Sequence, residues 1–201
     1  VTLLGAKGIF PWRFFYKDDM RYLSFDVSST TIGWSYITTN NNKIEKIDGS
    51  YFKPPKGMQI SKLKRLRHKF CIFDGYKPDM IAIEEYPMFM SNHKSTARTI
   101  STLAIYTRIV ALFLHEQFDI EPIFYPVVTI RSVLRKLSGS NDKISKENVP
   151  SVIESIVGKH IPEWKFQYET NKKGKVKTEM FDVADAVAVG MTCAYKNGEL
   201  K

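Results

Sequence analysis

The segment Asp79–Glu85 is apolar on both of its faces, with Met80 and Ala82 on one and Ile81 and Ile83 on the other. Successive side chains of a strand point to opposite faces, so such a strand must be covered from both sides. That condition is met inside a sheet with helices above and below, and it is typical of parallel pairing. The flanking chain supplies the other layers. Arg21–Val27 reads as a short strand, Ile32–Thr38 alternates, and Lys43–Phe52 alternates weakly around Asp48-Gly49. Thr39-Asn40-Asn41-Asn42 is a turn signal between the second and third strands, and Pro54-Pro55 closes the third. Connections this short predict an antiparallel meander.

Farther along, Ile60, Leu63, Leu66, Phe70 and Phe73 recur at helical spacing, while Lys62, Lys64, Arg65, Arg67 and Lys69 form a face best read as solvated. Ser95–Phe118 reads as a long helix, Ile120–Pro126 as a fifth strand, and Thr129–Leu137 and Ser145–Gly158 as helices. Glu163–Glu179 is polar and lysine-rich, a loop or mobile insertion, and Asp182–Tyr195 is the last helix. The expected fold class is α/β, a five-stranded mixed sheet of three antiparallel strands and then two parallel ones, flanked by helices. The 201 residues suit one domain over 20–201. Residues 1–19 show no sustained period and read either as a native arm or as an appended upstream remnant.

Composition narrows the function. Two cysteines, Cys71 and Cys193, make no disulfide framework, and His68, His93, His115 and His160 show no metal-ligand spacing. Met58, Met80, Met88 and Met90 read as packing residues. A reducing compartment, the cytoplasm, is the simpler expectation. No apolar run approaches the roughly 18 residues of a membrane span. The formal net charge of +9 favours a polyanionic partner, of which nucleic acid is the commonest.

Against this basic background, a few carboxylates stand where burial is costly. Tyr22, Ser24 and Asp26 share one face of the first strand, and a small polar turn, Ser28-Ser29-Thr30-Thr31-Ile32-Gly33, follows. A carboxylate there either caps the turn or needs a cation or hydrogen-bond network. Glu84 ends the apolar strand on the face of Met80 and Ala82, while Glu85 points the other way. If the first and fourth strands are parallel neighbours, Asp26 and Glu84 lie side by side. Asp182 and Asp185, three residues apart, project from one face of the last helix, and Ala184, Ala186 and Ala188 let that helix approach the sheet closely. Two unit charges of one sign 4 Å apart cost about 4 kcal/mol at an effective dielectric of ~20. Four converging carboxylates therefore persist only with divalent cations, and oxygen-only ligation selects Mg²⁺ or Mn²⁺ over zinc. Two such cations beside a phosphodiester suit in-line hydrolysis.

Three segments, Tyr22–Trp34, Ile81–Glu85 and Asp182–Ala186, resemble the acidic motifs of the RuvC family of Holliday-junction resolvases in the RNase H-like superfamily. The Ser-Ser-Thr-Thr run after Asp26 is similar to the phage-encoded form. The resemblance implies an RNase H-like fold and Mg²⁺-dependent nicking of four-way DNA junctions by a homodimer. It implies Asp26, Glu84, Asp182 and Asp185 as ligands of two Mg²⁺ ions, and it points to Lys146 as a functional lysine. It would set an aromatic wedge after the second motif, where Pro87 stands, with Tyr86 and Phe89 beside it. Lys172, Lys173 and Lys175 read first as a solvated loop and second as phosphate contacts. A dimer also matches the symmetry of a four-way junction, and the long helix Ser95–Phe118, apolar nearly all round in its second half, is the expected interface. The alternatives are another branched-DNA or flap-type nuclease on the same fold, or a phosphotransferase of the sugar-kinase and actin type. The latter needs two such domains, which this chain is too short to supply.

Overall fold

A computed structural model describes residues 19–55, 60–86 and 97–201. Five strands form one mixed sheet: β1 (Asp19–Val27), β2 (Ile32–Asn40), β3 (Lys43–Phe52), β4 (Met80–Glu85) and β5 (Ile123–Pro126). Their order is β3-β2-β1-β4-β5, with β1, β2 and β3 antiparallel and β4 and β5 parallel to β1. The expected fold class is thus found. The β2–β3 turn is set by Asn41 and Asn42, both left-handed at φ 50° and 63°, the backbone that two-residue hairpin turns require and asparagine tolerates. Residues 1–18 of the expected N-terminal extension lie outside the described residues, as do Met58, Met88, Met90 and His93.

Helices cover both faces of the sheet. One face packs α1 (Ile60–Lys69), a following 3-10 turn (Phe70–Phe73) and α2 (Ala97–Phe118) on Leu23, Phe25, Ile81 and Ile83. Leu66, Phe70 and Phe73 are buried as the period predicts, but Ile60 is exposed. The basic face of α1 is largely solvated, with Arg67 paired to Glu116 at 2.8 Å. The other face packs α3 (Val127–Ser138), α4 (Val149–Val157) and α5 (Glu179–Lys196) on Tyr22, Ile37 and Ala82. Helix α5 begins one turn earlier than the sequence predicts, so Asp182 sits inside the first turn. The two-sided burial inferred for β4 holds, since Ile81, Ala82 and Ile83 are all fully buried.

Helix α5 lies unusually close to β1 and β2. Ser24 Oγ donates to the main-chain oxygen of Ala186 at 2.9 Å and lies 2.6 Å from Ser35 Oγ, all of it buried. A methyl group at Gly190 would stand 2.6 Å from Ser24 Oγ and 2.8 Å from Ile37 Cδ1. Those atoms are held by packing and hydrogen bonds, so they cannot yield cheaply. Overpacking of this kind costs about 1–3 kcal/mol. Gly190→Ala is expected to lower stability by about that much, read as a shifted urea midpoint with an unchanged slope.

Candidate active site

The site forms where the C-terminal ends of β1 and β4 meet the first turns of α5. The parallel register pairs Ser24 with Ala82 and Phe25 with Ile83, so Asp26 and Glu84 follow as the next residues on neighbouring strands. Asp26 lies opposite Gly33 on β2. Gly33 is where α5 crosses the sheet, and a Cβ there would collide with the main chain of Asp182. Absence of a side chain at this position lets the helix deliver Asp182 and Asp185 over Asp26. The strand's alternation turns Glu85 to the opposite face, as the sequence predicts.

Two basic residues answer the four carboxylates. Lys146, in a short 3-10 turn ahead of α4, places Nζ 2.8 Å from Asp182 Oδ1 and 3.7 Å from Asp185 Oδ2. Arg131 on α3 donates from Nη2 to Asp185 Oδ1 at 2.8 Å, and both side chains are nearly enclosed. Its Nη1 is buried with no hydrogen-bond partner among the described residues. Asp26 and Glu84 make no hydrogen bond or ion pair among the described residues. Burial first, then the charges of Glu84, Asp185 and Asp182, push the Asp26 carboxyl well above its usual range. Burial and the charge of Asp185 push Glu84 up to about 7. Burial raises Asp185 too, against the pull of Arg131 and Lys146. Burial lowers the Lys146 ammonium, but its hydrogen bond to Asp182 and the surrounding carboxylates outweigh that and raise it.

Comparisons with known proteins find similarity to RuvC. No protein-family model matches the chain. It is 27% identical to the crossover junction endodeoxyribonuclease RuvC of Chloroflexus aurantiacus over 132 residues, 65% of this chain and 77% of that protein. The structure of Thermus thermophilus RuvC matches with a TM-score of 0.60 at 16% identity, over 90% of this chain and 99% of that one. The same protein solved with a Holliday junction substrate also gives 0.60, at 15% identity, over 90% and 98%. The chain has the fold of these RuvC structures. The yeast mitochondrial Holliday junction resolvase shares the fold at a TM-score of 0.53 and 14% identity, over 90% and 80%.

The structure brings together all four carboxylates singled out by sequence, together with Lys146. Arg131 escapes sequence reasoning because it looks like an ordinary polar position between the buried Ile130 and Val133. A signal did exist: it falls in the second turn of the helix that leaves β5, at the same sheet end as Glu84. Tyr86 directly follows β4 and is partly exposed, whereas Pro87 and Phe89 lie outside the described residues. Lys172, Lys173 and Lys175 are exposed and stand apart from the carboxylates, on the 163–179 segment.

The donor set fits a hard divalent cation, for it is all oxygen and two of its carboxylates are engaged by no hydrogen bond or ion pair among the described residues. No three acidic or imidazole side chains among the described residues close into a ready-made cation site. Asp182 and Asp185 are instead engaged by Lys146 and Arg131. With four carboxylates and two cations, the fully ionised site carries excess negative charge in the metal-free protein.

That excess has a measurable consequence. Glu84 binds its proton more tightly in the folded chain, at about 7, than at its ordinary 4.5. A carboxyl raised on folding is protonated in the native state while already ionised in the unfolded one, so stability falls as pH rises through the window between these values and stays low above it. In EDTA, Glu84→Gln is expected to raise the melting temperature by several degrees at pH 8 and to leave it nearly unchanged at pH 4.5. An equal shift at both values would show that the glutamate's charge is not the cause.

Proposed function

We propose that the chain is a metal-dependent endonuclease that nicks four-way DNA junctions. The observation that carries this is the convergence of Asp26, Glu84, Asp182 and Asp185 at one sheet end of a RuvC-like fold, two of them without a direct ion pair among the described residues. Relatives support the substrate: the similar protein of Chloroflexus aurantiacus is named a crossover junction endodeoxyribonuclease, and Thermus thermophilus RuvC has been solved with a Holliday junction substrate. The excess of basic residues suits a DNA partner.

In this reading the four carboxylates hold two Mg²⁺ ions, for which Mn²⁺ can substitute. Such cations supply Lewis acidity to the attacking water and to the leaving oxygen of an in-line phosphodiester hydrolysis. The protein's own groups do the rest. Asp26 and Glu84 are held by adjacent strands, so their oxygens keep a fixed separation. The ammonium of Lys146 sits at the rim, half exposed, where it can neutralise charge that builds on a phosphate in the transition state. Arg131 keeps Asp185 oriented through its short ion pair and retains one unpaired donor. Tyr86, partly exposed at the end of β4, is the aromatic assigned to DNA in this reading.

Cutting junction and control DNAs tests the assignment. Asp26→Asn keeps the shape and removes a charge, so cleavage of a labelled four-way junction in Mg²⁺ is expected to fall by several orders of magnitude while junction binding persists, since binding rests on phosphate contacts. Glu85→Gln, on the other face, is expected to cut at the wild-type rate. Cleavage by Asp26→Asn within about tenfold of wild type is too small a loss for a missing metal ligand and would sink the assignment. Equal cutting of flap or linear duplex would make this another structure-selective nuclease on the same fold.

Paired cuts require two sites, and we assign the pairing surface to α2. Ala104, Ile105, Arg108, Ile109 and Leu112 line a shallow apolar groove, with Ile105 47% and Leu112 52% exposed. Val110 and Leu114 on the opposite side are fully buried in the core, so the exposed residues are surplus to folding. A second copy of α2 covers this strip and matches the two-fold symmetry of a junction. Mass measurement at micromolar concentration is expected to give a dimer for the wild type and a monomer for Leu112→Glu. A wild-type monomer that still makes paired cuts would overturn the dimer.

A further inference from the structure

Between α4 and α5 the chain makes an excursion whose acidic and basic residues are sorted by position. Its two legs meet at an antiparallel bridge, Thr170 with Val176. The tip between them is a tight turn: Asn171 N donates to Lys175 O at 2.7 Å and Gly174 N to Asn171 O at 2.9 Å. The Asn171 side chain braces it from inside, its Oδ1 accepting from Lys173 N at 2.8 Å and from Lys175 N at 3.2 Å. Gly174 takes the left-handed φ of 72° that the turn needs. Three lysines, Lys172, Lys173 and Lys175, project from this braced tip. All are exposed, and none pairs with an acidic group among the described residues.

Two of its carboxylates, Glu169 and Glu179, are spent at the foot. Glu169 Oε2 accepts from Lys177 Nζ at 2.6 Å and from Tyr51 OH at 3.2 Å. Glu179 binds Lys53 at 2.6 Å. On the incoming leg Phe166 is buried, its main-chain nitrogen donating to Glu154 Oε1 at 2.8 Å. The excursion is therefore anchored at both legs and purely cationic at its end. A merely solvated loop has no need of either feature.

Its position relative to the carboxylates follows from the sheet register. Tyr51 is paired with Gly33, and Gly33 with Asp26, so the three lie in one row across β3, β2 and β1. Strands are about 4.8 Å apart, which sets the Tyr51 main chain about 10 Å from Asp26, with the start of α5 crossing over Gly33 between them. A DNA strand advances about 3.4 Å per nucleotide along its axis. A duplex with a phosphate at Asp26 would cover that distance in about three nucleotides.

We infer that the hairpin over 163–179 is a phosphate clamp for a duplex arm of the DNA substrate, contacting the backbone through Lys172, Lys173 and Lys175 without reading the branch. The inference rests on the nuclease reading above for its substrate class. A clamp of this kind holds any duplex equally, adds affinity through counterion release and takes no part in bond cleavage.

Salt dependence isolates this role. Each phosphate contact on double-stranded DNA contributes about 0.9 to the slope of log K against log salt concentration. The triple variant Lys172→Ala, Lys173→Ala, Lys175→Ala is expected to lose about 2–3 from the magnitude of that slope, by the same amount on a linear duplex and on a four-way junction. The matching triple arginine variant is expected to keep the wild-type slope. Single-turnover cutting at saturating protein is expected to stay within about threefold of wild type, because the lysines lie outside the carboxylate site. A slope within about 0.5 of wild type on both DNAs would overturn the clamp, as three lost contacts cannot hide in that margin. A loss confined to the junction would overturn it in favour of a branch contact. If the wild-type protein shows no junction preference, the junction assignment fails by itself, and the slope on linear duplex still decides the hairpin.

Discussion

Helix α5 can set two aspartates over the ends of β1 and β4 only because almost nothing stands between it and the sheet. Gly33 on β2 leaves room for the main chain at Asp182, and Gly190 on the helix leaves room for Ser24 and Ile37. Ser24 and Ser35 then fill the contact with hydrogen bonds to the Ala186 carbonyl, so the tight approach does not strand a buried polar group. Side chains of ordinary size at these points would lift the helix, and the carboxylates would separate. The rest of the fold serves this contact: the antiparallel meander presents β1 and β2 to the helix, and the parallel strand β4 brings Glu84 beside Asp26.

Close packing creates the electrostatic problem that defines the site. Carboxylates on rigid strands and on a helix held by buried hydrogen bonds cannot swing apart to relieve repulsion. Burial first, and repulsion between the confined carboxylates second, raise the proton affinities of Asp26 and Glu84, and burial raises that of Asp185 against the pull of Arg131 and Lys146. Lys146 and Arg131 offset part of the charge from elements on the α5 side of the sheet, and they do so unequally. Arg131 is enclosed and fixed to Asp185, whereas Lys146 is half exposed beside Asp182. The remaining pair, Asp26 and Glu84, has no direct ion pair among the described residues and holds its protons more tightly instead.

Around the site the surface divides by chemistry. The strip on α2 is apolar and faces away from the carboxylates, across the sheet from α5. The hairpin before α5 is cationic and stands at the same sheet end as Asp26. The first suits a second copy of the chain, the second a polyanion, and neither contributes a group to the carboxylate cluster itself.

Much of this was legible from the residues alone, because the signals are local. Alternation fixes which face Asp26, Glu84 and Glu85 occupy, and an apolar strand such as Ile81–Ile83 has nowhere to lie but inside a covered sheet. The three-residue spacing of Asp182 and Asp185 places them on one helix face whatever the helix packs against. What required the tertiary structure is every relation that joins distant segments. The pairing of Arg131 with Asp185 depends on how α3 leaves β5 and crosses toward α5, and no periodicity records that crossing. The lysine-rich run 172–175 could not be told from a solvated loop until its acidic neighbours were seen spent on Lys177, Tyr51 and Lys53. The earlier start of α5 was likewise hidden, since Glu179 is held by Lys53 from β3's end, a contact between residues far apart in the chain. Sequence determines what each element can bury and which residues share a face, because those properties follow from backbone period. Only the folded chain decides which charges meet, because that depends on distances across the sheet and between helices.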